Sequence, residues 1–158
     1  DEKLLDPALH NPDHAAELVQ RAVQVKIDVV EEDPYEHGIR AYLNLGHTFA
    51  HAIERVTEYA WKHGDAVGAG LLAAAKLSHA LGKVDTEFVE RVDTILAETG
   101  LPRSLNGLNP ADLYEAMKTD KKWKNGVSRF IVLNGMCDAE IVRDVPQETV
   151  IEVMKSMQ

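Results

Sequence analysis

One stretch constrains the fold of this chain more than any other: AVGAGLLAAAKLSHAL, Ala66 to Leu81. Alanine, leucine and glycine supply most of it, so it reads as a buried helix rich in small residues, with Gly82 as its stop. The rest of the chain reads as elements to pack around it. From Asp13, the residues Leu18, Val19, Ala22, Val25, Lys26 and Val29 recur at three- and four-residue steps. They predict a helix that stops near EEDPYEHG, where Pro34 and Gly38 break helical geometry. A second helix is predicted from Ile39 through Glu58. DTEFVERVDTILAETG predicts an amphipathic helix with Asp85 as N-cap and Gly100 as its stop. LPRSLNGLNP is a loop, and NPADLYEAMKTDKK opens a helix with Asn109 as cap and Pro110 at its first position. The period then changes. SRFIVLN and AEIVRDV are β-rich runs joined by GMCD, a β-hairpin signature, and QETVIEVMKSM closes the chain as a short helix. The expected architecture is mainly α with a small β-hairpin near the C-terminus.

A length of 158 residues holds one domain with a substantial core. A net charge of −9 argues against a nucleic-acid or anionic-membrane surface, because phosphate contacts need clustered lysine and arginine. No run of about 18 apolar residues is present to span a bilayer. The single cysteine, Cys137, excludes an internal disulfide and fits a reducing cytosol, so a cytoplasmic location is expected. The chain starts with Asp1 and no signal-peptide pattern follows, which reads as a domain cut from something longer.

The chemistry lies in YLNLGHTFAHAIERV, Tyr42 to Val56. Residues four apart on a helix share a face, roughly 5–6 Å between Cβ atoms, so His47 and His51 can converge on one point as in two-histidine zinc helices. Arg40 and Asn44 extend the same stripe. Arg, Asn, His, His is poor core material, and it can line a pocket for an anion and a metal. The alternatives are a proton-transfer pair, or satisfied histidines beside an exposed arginine. Thr48 follows His47 where zinc proteases have glutamate, which argues against that class. His63, in WKHGDAV, is followed by a glycine that permits a tight turn and leaves the imidazole near a helix N-terminus, as a ligand or a loop histidine. Glu36 and His37 are an acid or base beside the stripe, or turn residues facing water. Lys26 is a candidate site cation or a snorkelling side chain. The run DKKWKNG, Asp120 to Gly126, is a phosphate clamp or a solvated turn.

Taken together, KIDVVEEDPYEHGIRAYLNLGHTFAHAIE (Lys26 to Glu54), HGDAVGAGLLAAAKLS (His63 to Ser78) and DKKWKNGVSRFIVL (Asp120 to Leu133) resemble the C-terminal domain of the 3-dehydroquinate synthase family, in order and spacing. The resemblance implies a single helical metal- and substrate-binding domain over residues 1–158. It implies an enzyme dependent on NAD and on zinc or cobalt, turning 3-deoxy-D-arabino-heptulosonate 7-phosphate into 3-dehydroquinate and phosphate in the shikimate pathway. By it, His47 and His63 are metal ligands, which replaces the His47–His51 pairing that helix geometry suggests. His51 and Glu36 handle protons, Lys26 and Arg40 hold the substrate carboxylate, and Asn44 contacts carboxylate or phosphate. One of Lys121 and Lys122 binds phosphate. Ala50 stands where the family commonly has glycine, and Asp65 where it has glutamate. The third metal ligand, a glutamate, and the NAD-binding N-terminal domain would precede Asp1, so the chain alone is expected to be inactive. The whole protein is expected to be a homodimer. The runner-up is a related sugar-phosphate cyclase, of the 2-deoxy-scyllo-inosose or 2-epi-5-epi-valiolone synthase type. A reading from another class is a non-catalytic helical domain that binds a metal or a partner helix.

Overall fold

A computed structural model describes residues 15–36, 38–119, 123 and 127–158. The chain divides between Leu43 and Asn44 into two compact units.

The first unit carries helix α1, Ala15–Glu32. Its surface is laced by the Glu17–Arg21 ion pair at 2.7 Å and by Gln24 donating to Asp28 at 2.7 Å, both at four-residue spacing. Pro34 follows the helix, and Asp33 organises the turn. Its Oδ2 accepts from the backbone N–H of Gly38 at 2.7 Å and of Arg40 at 3.2 Å. A carboxylate collecting orphan N–H groups starts a helix, and a 3-10 helix begins at once, Ile39–Asn44.

The second unit is built around α3, His63–Ala80. α2 (His47–Val56), α4 (Thr86–Glu98), α6 (Gln147–Lys155) and the first hairpin strand all touch it. α5 (Pro110–Met117) packs on α2 and α6. Ala66, Gly68, Ala69, Gly70, Leu72, Ala73, Ala74, Ala75, Leu77 and Ser78 of α3 are all buried, as its composition predicts. Asp85 caps α4 by accepting from Phe88 N at 2.9 Å, and Asn109 caps α5 by accepting from Ala111 N at 2.9 Å. Strands β1 (Arg129–Gly135) and β2 (Asp138–Arg143) form the antiparallel hairpin, from the pairing Arg129↔Arg143 to Gly135↔Asp138. Phe130 and Val132 of β1 point into the core, and the Phe130 ring lies 5.5 Å from that of Phe49 on α2. Ser78, fully buried, fastens the hairpin to α3: its hydroxyl donates to Ala74 O at 2.7 Å and accepts from Leu133 N at 2.8 Å.

Three boundaries differ from expectation by more than two residues. The run Ile39–Glu58 is not one α-helix: the 3-10 helix ends at Asn44, Gly46 turns left-handed at φ 76°, and α2 starts at His47. The reason is tertiary. A Cβ on Gly46 would lie 2.8 Å from the Gly70 carbonyl carbon, and one on Gly70 would run into the Gly46 carbonyl oxygen, so the two backbones touch directly. α3 starts at His63, ahead of the expected Ala66, because Gly64 costs little in a first turn and Asp65 suits the positive helix end. α5 ends at Met117, short of the expected run through Lys122, whose last residues 120–122 lie outside the described ones. Among the described residues, no helix is long and apolar enough to cross a membrane.

Candidate metal and substrate site

His47 and His63 each occupy the first position of a helix, α2 and α3. Neither helix start is capped by a side chain. Because Gly46 and Gly70 let α2 and α3 meet at backbone distance, the rings come together: the centroids of His47 and His63 are 5.4 Å apart. His51, one turn along α2, stands 5.7 Å from His47, edge to face. The structure therefore joins all three histidines around His47. It does not join them as a stripe on one continuous helix with Arg40 and Asn44, because the helix breaks at Leu45–Gly46.

The hydrogen bonds fix how the rings are presented. His47 Nδ1 is 3.1 Å from the Leu45 carbonyl oxygen, which can only accept, so Nδ1 carries a proton and, in the neutral ring, Nε2 has the lone pair. His63 Nδ1 is 2.9 Å from Glu54 Oε1. Two imidazoles bound to one ion at about 2.0–2.1 Å and a tetrahedral angle hold their centroids roughly 5 Å apart, which the observed pair matches. The donor set thus fits a metal ion as two nitrogens. Among the described residues, no group of three or more His, Cys, Asp or Glu side chains is placed to hold one.

The remaining candidates fall as follows. Asn44 ends the 3-10 helix and is half-buried. In the first unit, Lys26 is exposed on α1. Arg40 is half-buried and donates from Nη1 to Pro34 O at 2.6 Å. Glu36 is exposed in a left-handed conformation, φ 57°. Lys121 and Lys122, with His37, lie outside the described residues. Sequence reading missed Glu54. The signal was present, since it lies seven residues after His47, two turns along the same face.

The chain is similar to several known proteins. The family model for the 3-dehydroquinate synthase C-terminal domain matches residues 2–123. A 3-dehydroquinate synthase of Saccharopolyspora erythraea is 48% identical over 132 residues, covering 84% of this chain and 35% of that protein. One from Legionella pneumophila is 41% identical over 156 residues, covering 95% of this chain and 42% of that protein. Among solved structures, 2-epi-5-epi-valiolone synthase of Streptomyces hygroscopicus, with NAD+ and Zn2+ bound, superposes with a TM-score of 0.82 at 23% identity, over 99% of this chain and 46% of that one. A 2-deoxy-scyllo-inosose synthase complexed with carbaglucose-6-phosphate, NAD+ and Co2+ also reaches 0.82, at 21% identity, over 93% of this chain and 42% of that one. The fold is shared with these two synthases. The chain belongs to the 3-dehydroquinate synthase C-terminal family. It spans about a third of the length of the first of these relatives.

Proposed function

We propose that this chain serves as the metal- and substrate-binding domain of a cytoplasmic, homodimeric 3-dehydroquinate synthase that converts 3-deoxy-D-arabino-heptulosonate 7-phosphate to 3-dehydroquinate and phosphate. The observation that carries the reading is the His47–His63 pair, 5.4 Å between centroids with His47 oriented by the Leu45 carbonyl. His47 and His63 hold zinc or cobalt through nitrogen, and a third donor and the NAD site come from residues outside this chain. When bound, the metal supplies Lewis acidity at a substrate hydroxyl and NAD supplies hydride exchange. Hydride removal at the carbon bearing that hydroxyl, reversed later by the same NAD, would acidify the neighbouring C–H, so phosphate could leave without a strongly basic side chain. His51, half-buried beside His47, exchanges a proton near the phosphate, with Glu36 in the same relay. Arg40 and Lys26 hold the substrate carboxylate by charge-assisted hydrogen bonds. Asn44 donates to carboxylate or phosphate, and Lys121 or Lys122 neutralises the departing phosphate. Alone, with two of its metal donors, the chain is inactive.

The related cyclases share the fold at 21–23% identity, whereas 3-dehydroquinate synthases share 41–48% of the sequence. A carboxylate clamp also has no purpose on a sugar phosphate that lacks a carboxylate. The test is phosphate release by the whole protein with NAD and zinc, offered the keto-acid phosphate, glucose 6-phosphate or sedoheptulose 7-phosphate in parallel. Release from the keto-acid phosphate alone supports the reading. Release only from a sugar without the carboxylate would move the protein to the inosose or valiolone branch.

A further inference from the structure

The proposed ligands leave one charged group beside the histidines without a role. Glu54 projects from the last full turn of α2, nine residues before His63 in sequence, and its Oε1 sits 2.9 Å from His63 Nδ1. The carboxylate side chain is 13% exposed and the imidazole 59%, so the partly buried member holds the exposed one. Glu54 is itself anchored. Its carbonyl oxygen accepts from Tyr59 N at 2.6 Å and from the Thr57 hydroxyl at 3.3 Å. That return is made by Glu58 and Tyr59, both left-handed at φ 51° and 62°, conformations that non-glycine residues adopt rarely. The α2–α3 connection is thus folded back so that one residue is fixed through its backbone and reaches His63 through its side chain.

Resting on the metal reading above, we propose that Glu54 is the positioning residue for His63: it accepts the Nδ1 proton, presents Nε2 toward the ion, and makes the ring a stronger donor. Metal-bound histidines commonly donate their second N–H to a carboxylate or carbonyl, and losing that partner costs metal affinity. The two ligands differ in this respect. His47 is oriented by a neutral carbonyl that no substitution removes, and His63 by a charged side chain that substitution can remove.

Cobalt(II) titration of the whole protein, followed by its visible absorption, tests the role. Glu54→Ala should weaken cobalt binding by roughly 10- to 100-fold. Glu54→Gln, whose amide oxygen still accepts from Nδ1, should fall between it and wild type. In the metal-free 158-residue chain, 15N-histidine spectra should show the His63 ring protonated at Nδ1, and Glu54→Ala should abolish that preference. Equal cobalt affinity in wild type and Glu54→Ala, or a His63 ring protonated at Nε2 in the wild-type chain, would overturn the role of Glu54. Full cobalt binding by His63→Ala would instead overturn the metal reading on which it rests.

Discussion

At the scale of single residues, His47 of the proposed metal pair is set by backbone features more than by its own helix face, and His63 by the Glu54 side chain. His47 takes its orientation from the carbonyl two residues before it, and its position from Gly46. His63→Ala should therefore leave the fold intact while removing stoichiometric metal from the whole protein, as measured by elemental analysis. Arg40→Ala should chiefly raise KM for the keto-acid phosphate by roughly 10- to 100-fold, the worth of a charge-assisted contact to a carboxylate. Steady-state kinetics would show it, and an unchanged KM would place the guanidinium elsewhere. Tyr114 offers a test unrelated to the site. Burial raises its phenol above the ordinary 10.0, against the opposing pull of Lys118, whose Nζ lies 5.3 Å from the ring centroid. A raised folded value means the contribution to stability is fully present below pH 10.0 and is lost as pH rises through the folded value. Denaturation curves above pH 10.0 should show this loss, and Tyr114→Phe should diminish it.

At the scale of elements, Gly70→Ala should be severe for its size. The added methyl meets the Gly46 carbonyl oxygen, a backbone atom that cannot swing aside. Overpacking of this kind costs about 1–3 kcal/mol, which urea denaturation would read. Because the same contact sets the ring spacing, cobalt affinity should fall with it. Ser78→Ala removes the acceptor of Leu133 N and should cost about 1–3 kcal/mol. Much of the element map was legible in the sequence. Asp85 and Asn109 capped the helices they were expected to cap, and GMCD marked the hairpin. These signals are local, so local chemistry decides them. The break at Leu45–Gly46 was not legible, because Ile39, Leu43, Leu45, Phe49 and Ile53 keep an apolar pattern across it and a single glycine is tolerated in a helix. Only Gly70, 24 residues later, explains the break. For the same reason, spacing alone paired His47 with His51, and His63 came from family resemblance. Glu54 was missed because a glutamate on a helix surface looks like any other.

At the scale of the whole molecule, the chain contributes two metal donors and no nucleotide site in the proposed function. The whole protein should accordingly bind cobalt at least roughly tenfold more tightly than these 158 residues alone, since catalytic sites of this kind use three protein donors. Isothermal titration of both would decide it, and equal affinities would mean that the third donor lies within this chain. The net charge of −9 bears on the same scale. A polyanionic substrate gains nothing from the average field of such a molecule, so the cations assigned to it have to act at short range.

The meeting of Gly46 and Gly70 has one more consequence. Two helices that touch through their main chains have no layer of side chains between them to compress, so their separation behaves like a mechanical stop. Rotating a ring can adjust the gap between His47 and His63, but repacking the helices cannot. An ion whose bonds to nitrogen suit that gap is gripped at little cost, while a larger one meets jaws that will not open. Discrimination by ionic size would then be set by two residues that carry no donor side chain at all.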